Sequence, residues 1–185
     1  MNVLLTVGTD HHPFDRAIAW LEAWSADHSE VSCFVQSGTS VPPVVCEGQP
    51  YLAFADLCRR LAEADVVISH GGPATIMDAR AAGHRPIVVP RRPDLGEHVD
   101  DHQIRFCRWM NDRRQVVLAR DRADLCRLLD QARHHPDRYR LTGGDDGTGK
   151  GGDAGDGDGA SDGGGPPAGH RAALRFGDLI DGLLA

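Results

Sequence analysis

The sequence predicts an α/β fold, a Rossmann-like doubly wound parallel sheet. Short runs such as "DVVIS" (65–69) and "PIVVP" (86–90) are apolar throughout rather than alternating, as in strands buried on both faces. Amphipathic helical patterns separate the strands from the first residue onward, which calls for crossover helices and parallel pairing. Glycines follow two of the strands at their C-terminal ends, where sheets of this kind bind ligands.

Each element has its own signal. "NVLLTV" (2–7) reads as a buried strand ending at Gly8-Thr9. "FDRAIAWLEAW" (14–24) carries Phe14, Ala17, Ile18, Leu21 and Trp24 at helical spacing, and "EVSCFVQ" (30–36) is the second strand. "VPPVVCEG" (41–48) is at best a short strand, confined to an edge by Pro42 and Pro43. "YLAFADLCRRLAEA" (51–64) predicts a helix with Leu57, Cys58 and Leu61 inward. After the strand at 65–69, the Gly-Gly turn opens a helix over about 73–82, and the strand at 86–90 follows. A polar loop (91–98), a helix near 99–112 and a last strand, "QVVLA" (115–119), complete the sheet. Asp121 and Asp124 stand at capping positions for "RADLCRLLDQARHH".

Three parts are therefore expected: a domain over 1–142, a Gly/Asp-rich flexible insert over 143–169 and a C-terminal helix over 170–185. Within 143–168, 12 of 26 residues are Gly, too little apolar surface to fold, so this segment reads as a linker. The stripe in "HRAALRFGDLIDGLLA" (170–185) fits a helix that docks back on the domain or binds a partner.

Composition narrows the function classes. The formal charge is −7, of which 143–168 carries −5, so the domain is near neutral and shows no basic footprint for nucleic acid. Five cysteines without C-x-x-C spacing suit a reduced, cytoplasmic setting. The N-terminus lacks a basic n-region and a signal-length apolar run, and no stretch approaches the ~20 apolar residues of a membrane span.

Three loops fall at strand C-termini and should converge on one crevice: Gly8 to Pro13, His70 to Pro73, and 91–103. There is no G-x-G-x-x-G after the first strand, no G-x-x-x-x-G-K-[ST] and no G-x-S-x-G, which argues against a dinucleotide cofactor, a P-loop and a hydrolase elbow. The turn His70-Gly71-Gly72 fits a structural turn as well as a phosphate loop at a helix N-terminus. Asp78, about one and a half turns into that helix, is placed to bind a ribose diol, or else faces solvent as a helix-dipole partner. "EHVDDHQ" (97–103) gathers groups that could hydrogen-bond sugar hydroxyls. His98 and His102 at i, i+4 also admit a metal reading, but H-E-x-x-H is missing and no metal is expected. His11 and His12, in the first loop, are the weak candidates for catalysis, either as a general base or as polar surface residues.

"SHGGPATIMDARAAGHRPIVVPRRPDLGEHVDDHQ" (69–103) resembles the donor-binding segment of family 28 glycosyltransferase C-terminal domains. "LLTVGTDHHPFDRAI" (4–18) resembles the opening of their small stand-alone relatives, the Alg13-like subunits and bacterial exopolysaccharide proteins of PssE or EpsE type. The resemblance covers residues 1 to about 130 and implies one half of a GT-B glycosyltransferase. It implies that Gly8 and Thr9 face a donor diphosphate and that His70, Gly71 and Gly72 form a second phosphate loop. Asp78 would hold the uridine ribose, and Asp101, His102 and Gln103 would meet the transferred sugar. Two departures stand out: Asp78 is shorter than the Glu often found there, and the Gly/Asp-rich insert is not a family feature.

The resemblance further implies a donor-binding subunit, since 185 residues leave no room for an acceptor domain. It would transfer a hexose-type sugar from a UDP-sugar, a substrate rather than a cofactor, to a lipid-linked acceptor in polysaccharide biosynthesis. An Alg14-like, membrane-anchored glycosyltransferase subunit would supply the acceptor side and hold this chain at the inner face of the membrane. The rival reading is a non-catalytic activator of such a partner. A nucleotide-sugar epimerase fragment would need another half of its fold.

Overall fold

The computed structural model of the chain describes residues 1–141. The expected insert (143–169) and C-terminal helix (170–185) lie outside the described residues. Six strands form one parallel sheet: β1 (Asn2–Thr6), β2 (Ser32–Gln36), β3 (Glu47–Gln49), β4 (Val66–Ser69), β5 (Ile87–Val88) and β6 (Val117–Leu118). Their spatial order is β3-β2-β1-β4-β5-β6. The chain therefore winds outward in one direction from β1 and in the other from β4. The crevice between those two strands is the topological switch point, where open α/β sheets bind ligands. The predicted fold class is the observed one.

Among the described residues four α-helices connect strands, α1 (Asp15–Ser25), α2 (Phe54–Glu63), α3 (Pro73–Ala81) and α4 (His102–Asp112), and α5 (Arg122–His134) follows β6. Strand residues divide strictly by parity. Val3, Leu5, Cys33, Val35, Val66 and Ile68 face α1 and α5, whose Ile18, Leu21, Leu125 and Leu129 share their cluster. Leu4, Phe34 and Val67 face the opposite way, onto Leu61 and Ala64 at the end of α2 and Ala79 of α3. The register puts Leu4 opposite both Phe34 and Val67, so this second cluster is continuous across three strands. Each fully buried aliphatic side chain contributes about 1.5–3 kcal/mol, which is ample reason for the strands to be apolar on both faces.

All five apolar positions expected of α1 are buried: Phe14, Ala17, Ile18, Leu21 and Trp24. In α2 the expectation holds for Leu61 alone; Leu57 is half-buried and Cys58 is exposed. Cys58 lies on the outer flank of the stripe, beyond the reach of the sheet. Asp121 caps α5 by accepting from the Asp124 N–H at 2.8 Å. Asp124 reaches back over the helix start to accept from the Arg120 N–H at 3.4 Å and also pairs with the Arg120 and Arg127 side chains.

The segment at 41–46 forms no strand. Its amides go to α1: Val41 N–H donates to Asp15 at 2.8 Å, and Val44, Val45 and Cys46 N–H converge on the Glu22 carboxylate. With Pro42 and Pro43 lacking N–H groups, little is left for a ladder. Pairing starts only at Glu47, and β3 is the exposed edge strand expected there. Helix α4 begins at His102, three residues later than predicted. The Asp100 carboxylate accepts from the His102 N–H at 3.0 Å, an Asx turn that holds the preceding residues out of the helix.

Candidate functional site

The loop after β1, the loop after β4 and the first turns of α3 line a cleft of about 480 Å³ at the switch point, with Gln36, Leu52 and Leu57 on its other wall. Of the residues singled out in the sequence, Gly8, Thr9, His70, Gly72 and Asp78 meet here, together with Asp10.

Gly8 has φ +78°, a conformation that glycine reaches without strain. Its position is fixed by Gln36 at the end of β2. The Gln36 side-chain oxygen accepts from Thr6 Oγ1 at 2.7 Å and from the Gly8 N–H at 3.2 Å, while its nitrogen donates to Gly8 O at 2.9 Å and Pro50 O at 2.8 Å. The Gly8 amide is therefore already engaged, and Gly8 shapes the loop rather than offering a donor. Thr9, exposed beside it, has no partner among the described residues.

The His70 ring is wedged between two glycines. A Cβ on Gly8 would lie 2.5 Å from His70 Cε1, and one on Gly72 would lie 2.3 Å from His70 Nε2. Both glycines are thus explained by one imidazole, a packing relation invisible in the local motif. Burial, reinforced by the Arg91 charge, brings the His70 pKa down to about 4, so the ring is neutral at neutral pH. Its Nδ1 is buried without a partner. Its Nε2 lies on the edge between Gly8 and Gly72.

Gly72 is the N-cap of α3 and offers no capping side chain; Pro73 follows at the first helical position. The first amide to enter the helix ladder is that of Ile76, bonded to Gly72 O. The N–H groups of Ala74 and Thr75, both lining the cleft, are left for a ligand. Asp78 is half-buried, its carboxylate makes no hydrogen bond or ion pair among the described residues, and its pKa is raised by that burial.

Gly71 belongs to a different task. It has φ +93°, and a Cβ there would lie 2.6 Å from Cys107 Sγ of α4. It lets α4 close against the β4 loop. Asp101, His102 and Gln103 are not brought into the cleft lining. Asp101 lies 3.4 Å from Arg105, His102 lies 2.8 Å from Asp100, and Gln103 keeps a buried side-chain oxygen without a partner. His98 precedes the helix, so His98 and His102 are not an i, i+4 pair; His98 turns toward Asp10 instead. His12 hydrogen-bonds Asp10 through Nδ1 at 2.7 Å, whereas the His11 side chain is 82% exposed.

Sequence reading missed Gln36, Asp10 and Arg91. Arg91 is 1% exposed and donates to Val7 O at 2.8 Å, His12 O at 2.7 Å and Glu97 O at 3.0 Å. It ties the first loop to the third. Glu97, also buried, binds Arg16 at 2.7 Å. Only the pair Arg91-Arg92 directly after a strand could have hinted at this, because the partners lie some 80 positions away in the chain.

The model of the glycosyltransferase family 28 C-terminal domain matches residues 2–135. The chain belongs to this family. Over 69 residues it is 36% identical to the UDP-N-acetylglucosamine–N-acetylmuramyl-(pentapeptide) pyrophosphoryl-undecaprenol N-acetylglucosamine transferase of Verminephrobacter eiseniae. That match covers 37% of this chain and 18% of the relative. The crystal structure of Acinetobacter baumannii MurG superposes with a TM-score of 0.52 at 18% identity, over 75% of this chain and 42% of that one. The fold is accordingly that of the C-terminal half of a GT-B glycosyltransferase. The family 28 chain spans under half the length of either relative. Among the described residues no helix is long and apolar enough to cross a membrane.

Proposed function

We propose that this family 28 domain binds a UDP-sugar in the switch-point cleft and serves as the donor-binding part of a glycosyltransferase. The observation that carries this is the convergence, in one cleft, of an uncapped helix N-terminus, a neutral His70 and an unpaired Asp78. The activity of the Verminephrobacter relative, transfer of N-acetylglucosamine to an undecaprenol-linked acceptor, supports a UDP-linked donor and a lipid-linked acceptor.

In this reading the Ala74 and Thr75 amides, with Thr9, receive the diphosphate, and His70 donates from Nε2 to one of its oxygens. A neutral donor suits a site from which UDP must later leave. The α3 dipole adds up to ~2 kcal/mol to the binding of negative charge, and each aimed donor contributes on the order of 10²–10³ in rate when charge develops on the leaving group. Asp78 accepts from ribose hydroxyls. The family resemblance assigns Asp101, His102 and Gln103 to the sugar, beyond the lining of the cleft itself. Catalysis is electrostatic and positional, with inversion at the anomeric carbon as the simplest course.

The acceptor and the general base come from a membrane-anchored, Alg14-like partner that holds this chain at the inner face of the membrane. His12 keeps only Nε2 free, its Nδ1 being held by Asp10, and with His11 it remains a minor candidate for touching donor or acceptor. The alternative, a non-catalytic activator, keeps the partner contact without a need for donor binding.

Calorimetric titration with UDP, against ADP, GDP and CDP, tests the site. UDP alone should bind, and Asp78→Ala should weaken it about 10-fold or more, the cost of an unpaired ribose hydroxyl. Equal binding of all four nucleotides would reduce the site to a generic phosphate loop. If the pair's sugar transfer survives Asp78→Ala undiminished, the activator reading replaces this one.

A further inference from the structure

Asp10 is surrounded by imidazoles. His12 Nδ1 lies 2.7 Å and His11 Nδ1 3.7 Å from its Oδ1, and His98 Nε2 lies 3.8 Å from its Oδ2. Residues 10–12 are consecutive in the loop after β1, whereas His98 arrives from the third loop, 86 positions beyond His12. Arg91 holds the two loops together through His12 O and Glu97 O, so the fourth member is positioned by the fold and not by chance proximity in the chain.

We propose that Asp10, His11, His12 and His98 form a binding site for a divalent transition-metal ion of the zinc class. Three imidazole nitrogens and one carboxylate suit borderline cations and not calcium or magnesium, which prefer all-oxygen shells. The spacing fits as well. A tetrahedral ion with bonds of ~2.0–2.1 Å sets its ligand atoms about 3.3 Å apart; His11 Nδ1 and His98 Nε2 stand 3.7 and 3.8 Å from the two Asp10 oxygens, and the ion would displace the 2.7 Å hydrogen bond by which His12 Nδ1 now holds Asp10. One ligand atom each from Asp10, His11 and His12 already lies within 4.8 Å of the others.

His11, exposed and rotatable, closes the shell at little cost. The site differs from the His98/His102 pair on which the expectation of no metal was weighed. It does not depend on what occupies the cleft, although Asp10 also lines the rim, so a bound cation would raise the positive potential there.

The metal-free full chain, titrated with zinc chloride in a calorimeter, should bind one equivalent. His11→Ala and His98→Ala should each weaken that binding about 10-fold or more, and Co²⁺ should show the intense visible absorption of a tetrahedral site, lost in both variants. His11→Ala removes an exposed ring, so a folding defect does not confuse the result; far-ultraviolet circular dichroism checks His98→Ala. His134→Ala/His135→Ala, two exposed histidines at the far end of α5, should leave the affinity unchanged. The proposal is overturned if no stoichiometric binding is seen, if His11→Ala and His98→Ala bind as the wild type does, or if only the α5 pair matters.

Discussion

His70 shows how one buried side chain can dictate its neighbours. The motif His-Gly-Gly invites a reading in which the glycines exist for a ligand; in the structure Gly8 and Gly72 exist first for the ring between them. The ring's pKa of about 4 also makes it a liability in acid. The unfolded chain takes up a proton near pH 6.5, while the folded protein resists until about 4. Stability from this group is therefore complete above pH 6.5, falls as the pH drops from 6.5 to 4, and is constant below. The full loss is of the order of 3 kcal/mol. His84, buried and likewise lowered, adds in the same direction. Urea unfolding between pH 7 and 4 should show a steep decline in the wild type and a shallower one in His70→Gln. An unchanged slope in that variant would place the acid sensitivity elsewhere.

Among the elements, the loops carry the architecture of the site and the helices only aim it. Arg91 spans Val7, His12 and Glu97 with three hydrogen bonds to carbonyls, and its guanidinium also stands 4.9 Å from the Phe14 ring centre. A lysine has no fork to reach three carbonyls in different directions, and leaving them dry is costly. Arg91→Lys should destabilise the chain by about 3 kcal/mol, read as the shift in the urea midpoint. A loss under ~0.5 kcal/mol would mean that the two loops are joined by other contacts. The 41–46 segment shows the same principle on a smaller scale: Glu22 and Asp15 take its amides, and a stretch with three valines stays out of the sheet.

Across the described sheet, β1 is a central strand flanked by β2 and β4, the longest of the other strands, with β3 and β6 at the edges. Hydrogen exchange should follow. The amides of Leu4 and Leu5, both buried at the centre, should exchange only on global unfolding, at least about 100-fold more slowly than those of Gly48 and Gln49 in the exposed edge strand. Uniform exchange along β1 and β3 would contradict the doubly wound order.

The sequence by itself determined the fold class, because parity and periodicity are local. Val-Ile-Leu runs between amphipathic helices have one economical solution, and the α1 stripe was legible residue by residue. It also determined much of the cleft: Gly8, Thr9, His70, Gly72 and Asp78 fall at strand ends that the topology must bring together. What the tertiary structure decided are relations between residues far apart in the chain. Gly71 makes room for Cys107; Gln36 occupies the Gly8 amide; Arg91 locks two loops; and His98 lies between Asp10 and Asp100. None of these leaves a periodic trace, since a hydrogen bond or a steric gap across 30 to 80 residues depends on where the backbone has already been placed.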